Sequence, residues 1–330
     1  MLRRPVGILQ ARAWRDRLPP LGTIGSLVAL VAACIFFTAR TGRFLTGANL
    51  SLVLQQVMVV GVIAIGQTLV ILTAGIDLSC GAVMALGGIV MTKLAVQHGL
   101  PVPAAVASGI GVAVLFGLVN GLLVSAIRLP PFIVTLGTWN IAFAITQLYS
   151  SAQTVTQLPP AMTALGRTFR VGGTSVVYGA LVMLLLYAIT WFALRETAAG
   201  RHVYAIGNNP EATRLAGIDT NRLLVGVYAL AGALYGVAAL LLVARTGVGD
   251  PNAGQTENLD SITAVVLGGT SLFGGRGMVI GSLVGALIVG VFRNGLTLMG
   301  VSSVYQILIT GVLVILAVAA DQLSRRDPSR

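Results

Sequence analysis

The chain has 330 residues, of which 56% are hydrophobic and only 9% are charged. A soluble domain carries about 25% charged residues, so this composition excludes an ordinary water-soluble protein and indicates one that is embedded in lipid. The net charge of +11 does not indicate nucleic-acid binding, because the arginines are scattered in short loops between apolar runs and form no dense basic face.

Apolar runs predict ten membrane-spanning helices, because a backbone in lipid must form its own hydrogen bonds over about 20 residues per crossing. The sequence therefore predicts an all-α, polytopic membrane protein. The eighth run is short for a full crossing, since the glycine-rich stretch GGTSLFGG at 268–275 would break a helix. The predicted helices cover residues 21–39, 51–73, 79–97, 101–127, 131–150, 175–194, 223–244, 260–273, 277–298 and 302–320.

The distribution of Lys and Arg predicts the orientation of these helices. With the N-terminus inside, 14 of these residues fall on the inner side and 7 on the outer side, a bias that places both termini in the cytoplasm. No A-x-A-like cleavage site follows the first apolar run, so that run is predicted to be retained. The chain then divides into a cytoplasmic segment at 1–20, a transmembrane domain at 21–322 with a long inner loop at 195–222, and a cytoplasmic tail at 323–330.

Two parts of the chain resemble each other at an offset of 174 residues. Residues 108–124 align with residues 282–298, and Asn120 and Asn294 are among the coincident positions. The two helices are predicted to cross the membrane in opposite directions, so the copies would be inverted. Inverted internal repeats are typical of transporters.

One short charged segment, GNNPEATRLAGIDTNR at 207–222, interrupts the apolar pattern. Asn209 can cap a helix that Pro210 starts. Glu211 carries a charge that a helix N-terminus favours, and Gly217 can end the helix in a left-handed conformation. Such a helix fits the groove of a partner protein, and the alternative is an ordinary solvated loop between two spans. The remaining residues of this predicted docking helix are Ala212, Arg214, Leu215 and Ala216.

Three blocks of the sequence together resemble the permease subunits of bacterial ABC importers for monosaccharides, of the ribose and fructose type. The blocks are GQTLVILTAGIDLSCGAVMALGG at 66–88, the charged segment at 207–222, and LDSITAVVLGGTSLFGGRGMVIGSLVGALIVG at 259–290. The likeness extends over roughly residues 45–322, which is nearly the whole chain.

The resemblance implies a ten-helix permease of the bacterial inner membrane that forms the translocation path for a monosaccharide. It implies three partners: a second permease copy, a cytoplasmic ABC ATPase, and a periplasmic sugar-binding protein. In such permeases a short helix of the large cytoplasmic loop docks into a cleft of the ATPase, and residues 210–217 match that coupling segment.

No catalytic residue, metal or cofactor is expected in the chain itself. The stretch GGTSLFGG resembles a phosphate-binding loop only in its glycines, because Gly275-Arg276 stands where that loop requires Lys-Ser/Thr. Cys34 and Cys80 belong to no CxxC motif. ATP hydrolysis is therefore expected in a partner subunit.

Polar residues within the predicted spans are candidates for the translocation path, because ionisable groups there cost about 2.5–3.5 kcal/mol and need a reason to be present. Asp77 is either a gate or substrate contact, or the N-cap of the third helix. Amides bind hydroxyl groups without carrying charge, which suits sugars, and the alternative is hydrogen bonding between helices. The better amide candidates are Gln55, Asn140 and Gln147, and the others are Gln56, Gln67, Asn120 and Asn294.

Glycines recur every four residues at Gly277, Gly281 and Gly285. This spacing places them on one face of the ninth helix, where they would form a dimer interface or sliding surface, or pack closely within one subunit. Two other functional interpretations stay open. One is a stand-alone secondary transporter or channel for a small polar solute, although the acidic residues fall at helix starts and loops. The other is an export or scaffold subunit.

Overall fold

A computed structural model describes residues 21–325, so the predicted cytoplasmic segment at 1–20 lies outside the described residues. Helices dominate this part of the chain, which supports the predicted polytopic α-helical membrane protein. The helices are α1 (Leu21–Thr41), α2 (Gly47–Leu72), α3 (Cys80–Val96), α4 (Val102–Ser125), α5 (Pro131–Ser150), α6 (Tyr178–Glu196), α7 (Ala198–Asn208), α8 (Pro210–Leu215), α9 (Thr220–Thr246), α10 (Glu257–Leu267), α11 (Val279–Leu298) and α12 (Ser303–Arg325).

Within residues 21–325, six helices are long and apolar enough to cross a membrane by themselves, namely α2, α4, α5, α6, α9 and α11. Helix α3 and the apolar parts of α1 and α12 are shorter. The described residues thus contain nine such apolar helices, six of them of spanning length, which supports a polytopic bundle but does not show ten spans. The eighth predicted span corresponds to α10, which has only 11 residues.

The centre of the bundle is formed by α2, α3 and α9, whose side chains are mostly buried, while α4, α5 and α6 expose apolar faces. Helices α4 and α9 approach each other closely through glycines. A Cβ atom on Gly117 would lie 2.2 Å from the Tyr228 carbonyl oxygen, and one on Gly232 would lie 2.3 Å from the Ala113 carbonyl oxygen. Only glycine permits this backbone contact, which is how membrane helices pack without a hydrophobic driving force.

The all-α fold also includes one short β-hairpin that the sequence analysis does not predict. Strands β1 (Thr168–Val171) and β2 (Thr174–Val177) pair antiparallel, and Gly172 and Gly173 join them with positive φ angles of 53° and 84°. A two-residue turn with both φ angles positive matches the twist of the strands, and Gly-Gly suits it. The sixth predicted helix consequently begins at Tyr178 rather than at residue 175.

The eighth predicted helix is also shorter than expected. Helix α10 ends at Leu267, and Gly269 follows with a φ of 86°. Residues 268–278 then form an irregular segment, which we call the glycine loop. Gly277 lies in this loop, outside α11, because Met278 is extended with a φ of −143°. Gly277 is therefore not on the helical face that the sequence predicted.

Candidate functional site

The charged segment forms the predicted short helix, α8. The Asn209 side chain accepts a hydrogen bond from the Ala212 backbone N–H at 3.0 Å, and Pro210 occupies the first turn. Gly217 ends the helix with a φ of 85°. The helix and both of its caps are therefore confirmed, whereas its docking role stays a prediction.

Helix α8 presents an accessible surface on which apolar side chains stand beside a charged pair. Ala212 is exposed and Leu215 is 73% exposed, while Thr213 is buried and faces the bundle. Arg214 donates to Glu211 at 2.6 Å, and this hydrogen bond and the positive charge of Arg214 lower the pKa of the Glu211 carboxyl. An exposed pair of this kind contributes little to stability, so its charges remain available to a partner.

A compact joint fixes α8 to the bundle through the preceding helix α7. A Cβ atom on Gly207 would lie 1.8 Å from the Leu72 carbonyl oxygen and 2.5 Å from the Gly275 nitrogen. The Gly275 N–H donates to that same Leu72 carbonyl at 3.0 Å. Tyr204 adds a hydrogen bond from its hydroxyl to the Gly277 carbonyl at 3.0 Å. We call the contact of Gly207, Leu72 and Gly275 the glycine joint.

Asp77 lies in the core and has a full set of partners. Its carboxylate accepts from the Ser79 N–H at 2.8 Å, from the Ser79 hydroxyl at 2.6 Å and from the Tyr235 hydroxyl at 3.2 Å. Asn120 donates to the same Ser79 hydroxyl at 3.1 Å. Only 1% of Asp77 is exposed. These contacts hold the chain in a turn immediately before α3.

The three preferred amides lie in different environments. Gln55 donates to the Ser51 hydroxyl on its own helix at 3.3 Å. Asn140 is on the exposed face of α5 and donates to the Leu136 carbonyl one turn earlier. Gln147 bridges from α5 to the loop before α10, where it donates to Pro251 and Asn252. The structure does not bring these residues together with Asp77, and their pathway role stays a prediction.

A polar cavity of about 230 Å³ lies between α2, α9, α10 and α11, and we call it the central cavity. Its polar lining residues are Gln56, Arg245, Glu257 and Arg293. A second cavity of about 210 Å³ shares Arg245 and Glu257 as a common wall. A third cavity of about 330 Å³ shares Arg293 and extends between α10, α11 and α12, where its walls are mainly apolar.

The central cavity and helix α8 lie at opposite ends of the bundle. Helix α9 begins at Thr220, shortly after α8, and Arg245 is its penultimate residue. At 1.5 Å per residue, the two positions are about 37 Å apart along the helix. Helices α2, α9 and α11 each extend along the bundle between the cavity and the end that carries α8.

Sequence reasoning ranked the lining residues of this cavity too low. Gln56 is one of the weaker amide candidates of the sequence analysis, and Arg245 and Arg293 are not among the predicted site residues. The position of Arg293 in the sequence does indicate a site, because it lies inside the ninth predicted span, where a charged side chain needs a partner. That partner is Asp260 of α10, at 2.8 Å.

Comparison with known proteins places the chain in a family. Residues 49–318 match the family described as branched-chain amino acid transport system / permease component. The chain is 46% identical to the fructose import permease protein FrcC of Rhizobium meliloti, over 91% of this chain and 85% of that protein. It is 40% identical to the ribose import permease protein RbsC of Bacillus subtilis, over 91% and 92% of the two chains. The D-allose transport system permease protein AlsC of Escherichia coli is 36% identical, over 92% and 91%.

A bundle of apolar helices with an exposed, capped helix at one end and polar cavities at the other is the architecture of a membrane transport subunit. The chain belongs to the family of permease components of import systems that the match over residues 49–318 defines. The members named above are transport subunits rather than enzymes. The stand-alone secondary transporter is not favoured by these relatives.

Proposed function

We propose that the chain is the permease subunit of an ATP-binding-cassette importer and carries a monosaccharide across the bacterial inner membrane. The observation that carries the proposal is helix α8, a capped and exposed helix that lies at the end of the bundle opposite the polar cavities. A separate ATPase can push on such a helix, because its accessible side chains include Ala212 and Leu215.

The substrate class follows from the relatives and from the cavity chemistry together. The relatives are named for import of fructose, ribose and D-allose, although the family description refers to branched-chain amino acids. A branched-chain amino acid needs an apolar pocket for its side chain. The central cavity instead offers Gln56, Arg245, Glu257 and Arg293, which supports a polyhydroxylated solute.

The topology that we propose has ten spans, both termini in the cytoplasm and two inverted halves. The matching contacts of the two halves support it. Gly109 of α4 packs on the Gly87 carbonyl, with a Cβ-to-oxygen distance of 2.5 Å, and Gly281 of α11 packs on the Gly268 carbonyl, at 2.1 Å. Each half thus pairs a short helix with a long one through backbone contact at glycine.

The proposed cycle uses three partners. A periplasmic binding protein delivers the sugar to the outer end, where the cavities lie, and two permease copies form the complete path. Closure of the ATPase halves moves the two α8 helices together and tilts the bundles between outward and inward states. The permease binds the sugar weakly, since a site that holds it tightly would not release it.

The docking role of α8 is tested by Ala212→Trp and Arg214→Glu. The tryptophan adds bulk to an exposed face, and the glutamate breaks the pair with Glu211, so both should disturb the fit to the ATPase. In proteoliposomes with the ATPase and the binding protein, we expect ATP hydrolysis to become uncoupled from sugar uptake while the permease still inserts. Arg195→Glu is the matched control, because Arg195 is an exposed arginine in the last turn of α6, outside α8, and pairs with Glu196 at 3.2 Å. Normal uptake by both α8 variants would remove this role.

A further inference from the structure

The charged groups around the central cavity balance once Asp260 is counted, which pairs with the lining residue Arg293 but does not itself line the cavity. Arg293 pairs with Asp260 at 2.8 Å, and Arg245 and Glu257 line the same wall. Within residues 21–325, neither Arg245 nor Glu257 forms an ion pair within 4 Å. The four groups carry two positive and two negative charges, so the cavity selects for no net charge on a bound solute. A free anion or cation would be repelled by the groups of like charge around the cavity.

The same cavity has hydrogen-bonding capacity that the described residues do not use. The Arg245 Nε and Gln56 Oε1 atoms are buried and have no hydrogen-bond partner within the described part of the chain. Both atoms are almost inaccessible in this conformation, so a solute reaches them only when the Gln56 or Arg245 side chain turns toward the cavity. Because a buried polar atom without a partner is unfavourable, a ligand that supplies the missing bond favours that rotation. One atom is a donor and the other is an acceptor, so the complementary group is a hydroxyl, which both donates and accepts.

The size and position of the cavity limit the solute further. Its volume is about 230 Å³, below the range of about 300–1,000 Å³ that drug-sized ligands occupy. It lies in the halves of α2, α9 and α11 that are remote from α8, where solute from the outer side would arrive first. Its walls come from four different helices, so a relative tilt of these helices changes its shape.

We propose that Gln56, Arg245 and Glu257 form a substrate subsite of the permease for a neutral polyol of monosaccharide size. Arg245 donates to hydroxyl oxygens, Glu257 accepts from hydroxyl hydrogens, and Gln56 does both. The subsite rests on the proposed function and names the place where the sugar is held between the binding protein and the cytoplasm. Arg245 also lines the neighbouring cavity of about 210 Å³, so it can contact the sugar in either cavity.

Adjacent glutamines on α2 provide the sharpest test. Gln56 lines the central cavity, whereas Gln55 bonds to Ser51 on its own helix. Gln55→Leu and Gln56→Leu therefore make the same chemical change one position apart on one helix, in different environments. The complex is reconstituted with the ATPase and the binding protein, and uptake is measured with labelled fructose, ribose and allose at a saturating concentration of loaded binding protein.

We expect Gln56→Leu to lower the maximal uptake rate at least about tenfold, as the loss of a hydrogen bond to substrate would. The ATPase activity that the loaded binding protein stimulates should stay within about twofold of wild type, because docking and coupling lie elsewhere. Gln55→Leu should lower uptake less than Gln56→Leu does, because the Gln55 amide is already paired with Ser51 on its own helix. The double variant Arg245→Met/Glu257→Met removes one positive and one negative charge, so the net charge around the cavity is unchanged, and it also removes both sets of hydrogen-bonding groups; it should lose uptake too, which separates hydrogen bonding from net charge.

Two results would overturn the subsite in different ways. If wild type transports a monosaccharide and Gln56→Leu transports it as well as Gln55→Leu does, the subsite is wrong and the proposed function stands. If wild type transports none of the three sugars while its ATPase responds normally to the binding protein, the proposed function fails and the subsite fails with it.

Discussion

Gly207→Ala is expected to abolish coupling although it adds a single methyl group at the end of the bundle remote from the central cavity. The new Cβ would lie 1.8 Å from the Leu72 carbonyl oxygen and 2.5 Å from the Gly275 nitrogen, distances that no real structure tolerates. Both neighbours are backbone atoms, so no side chain can rotate away. Either α7 moves off the bundle or the hydrogen bond from Gly275 to Leu72 breaks.

The consequence for transport follows from what the glycine joint connects. Helix α7 leads directly into α8, Leu72 is the last residue of α2, and the glycine loop leads into α11. Gln56 is on α2 and Arg293 is on α11, so the joint links the proposed docking helix to two helices of the central cavity. Overpacking of a tight contact costs about 1–3 kcal/mol, and we expect sugar uptake to fall at least about tenfold.

The measurement compares uptake and ATP hydrolysis in the reconstituted complex, with Gly226→Ala as the control. Gly226 is also helical, it lies near the same end of the bundle, and a Cβ atom there would meet nothing within 4 Å. Alanine at this open position should be neutral or slightly stabilising, since it is the better helix former by about 1 kcal/mol. Equal uptake by the two alanine variants would show that the joint transmits nothing.

The helical bundle could be predicted because a backbone in lipid must satisfy its own hydrogen bonds, and a helix does so within each segment. Each of the ten apolar runs corresponds to a helix, and the charged segment forms the capped helix that Asn209, Pro210 and Gly217 indicate. These features depend on local chemistry: apolar runs of about 20 residues, a side chain that caps a helix and a glycine that ends it. They require no knowledge of what packs against what.

Features that depend on tertiary contact were missed or misplaced. The glycine loop ends α10 early because its backbone finds partners in other elements, as Gly275 does in Leu72. The hairpin at 168–177 has a local signal in the sequence, because Gly172-Gly173 lies between two short β-prone runs. A prediction based on apolar runs of spanning length does not include so short an element. Helix α7 is short and only partly apolar, so its sequence does not have the pattern of a membrane span.

In the candidate site, too, residue types can be predicted from the sequence, whereas their placement depends on tertiary packing. Composition identifies amides within spans, but it does not say which side of a helix faces a cavity. Gln55 and Gln56 differ by one position, which is about 100° around a helix, and that rotation separates a contact within α2 from the cavity lining. The arginines were visible too, yet only the packing of α9, α10 and α11 brings Arg245, Glu257 and Arg293 to one place.

Asp77→Ala is expected to be among the most destabilising single substitutions in the chain. It leaves the Ser79 N–H, the Ser79 hydroxyl and the Tyr235 hydroxyl without their common acceptor, in a place where water does not reach. Each buried polar group that loses its partner costs about 1–3 kcal/mol. We expect the free energy of unfolding to fall by about 3 kcal/mol or more, with a corresponding fall in the apparent melting temperature in detergent.

Asp219→Ala is the matched control for stability. The Asp219 carboxylate also accepts from a backbone N–H two or more residues ahead, that of Arg222 at 3.0 Å, but it does so on the exposed surface. Removal of an exposed cap of this kind costs about 1 kcal/mol. The difference between the two alanine variants therefore measures what burial adds to the same type of contact.

Asp77→Asn separates the two roles that the sequence left open for this residue. The amide keeps an oxygen for Ser79, and the Tyr235 hydroxyl can turn to accept from the amide nitrogen, so the turn before α3 should survive. If the carboxylate only holds this turn, the asparagine variant should fold and transport sugar within about threefold of wild type, because a neutral hydrogen bond is only modestly weaker than a charged one. A variant that melts at the wild-type temperature but transports nothing would instead place the charge of Asp77 in the translocation path, as a gate or a substrate contact.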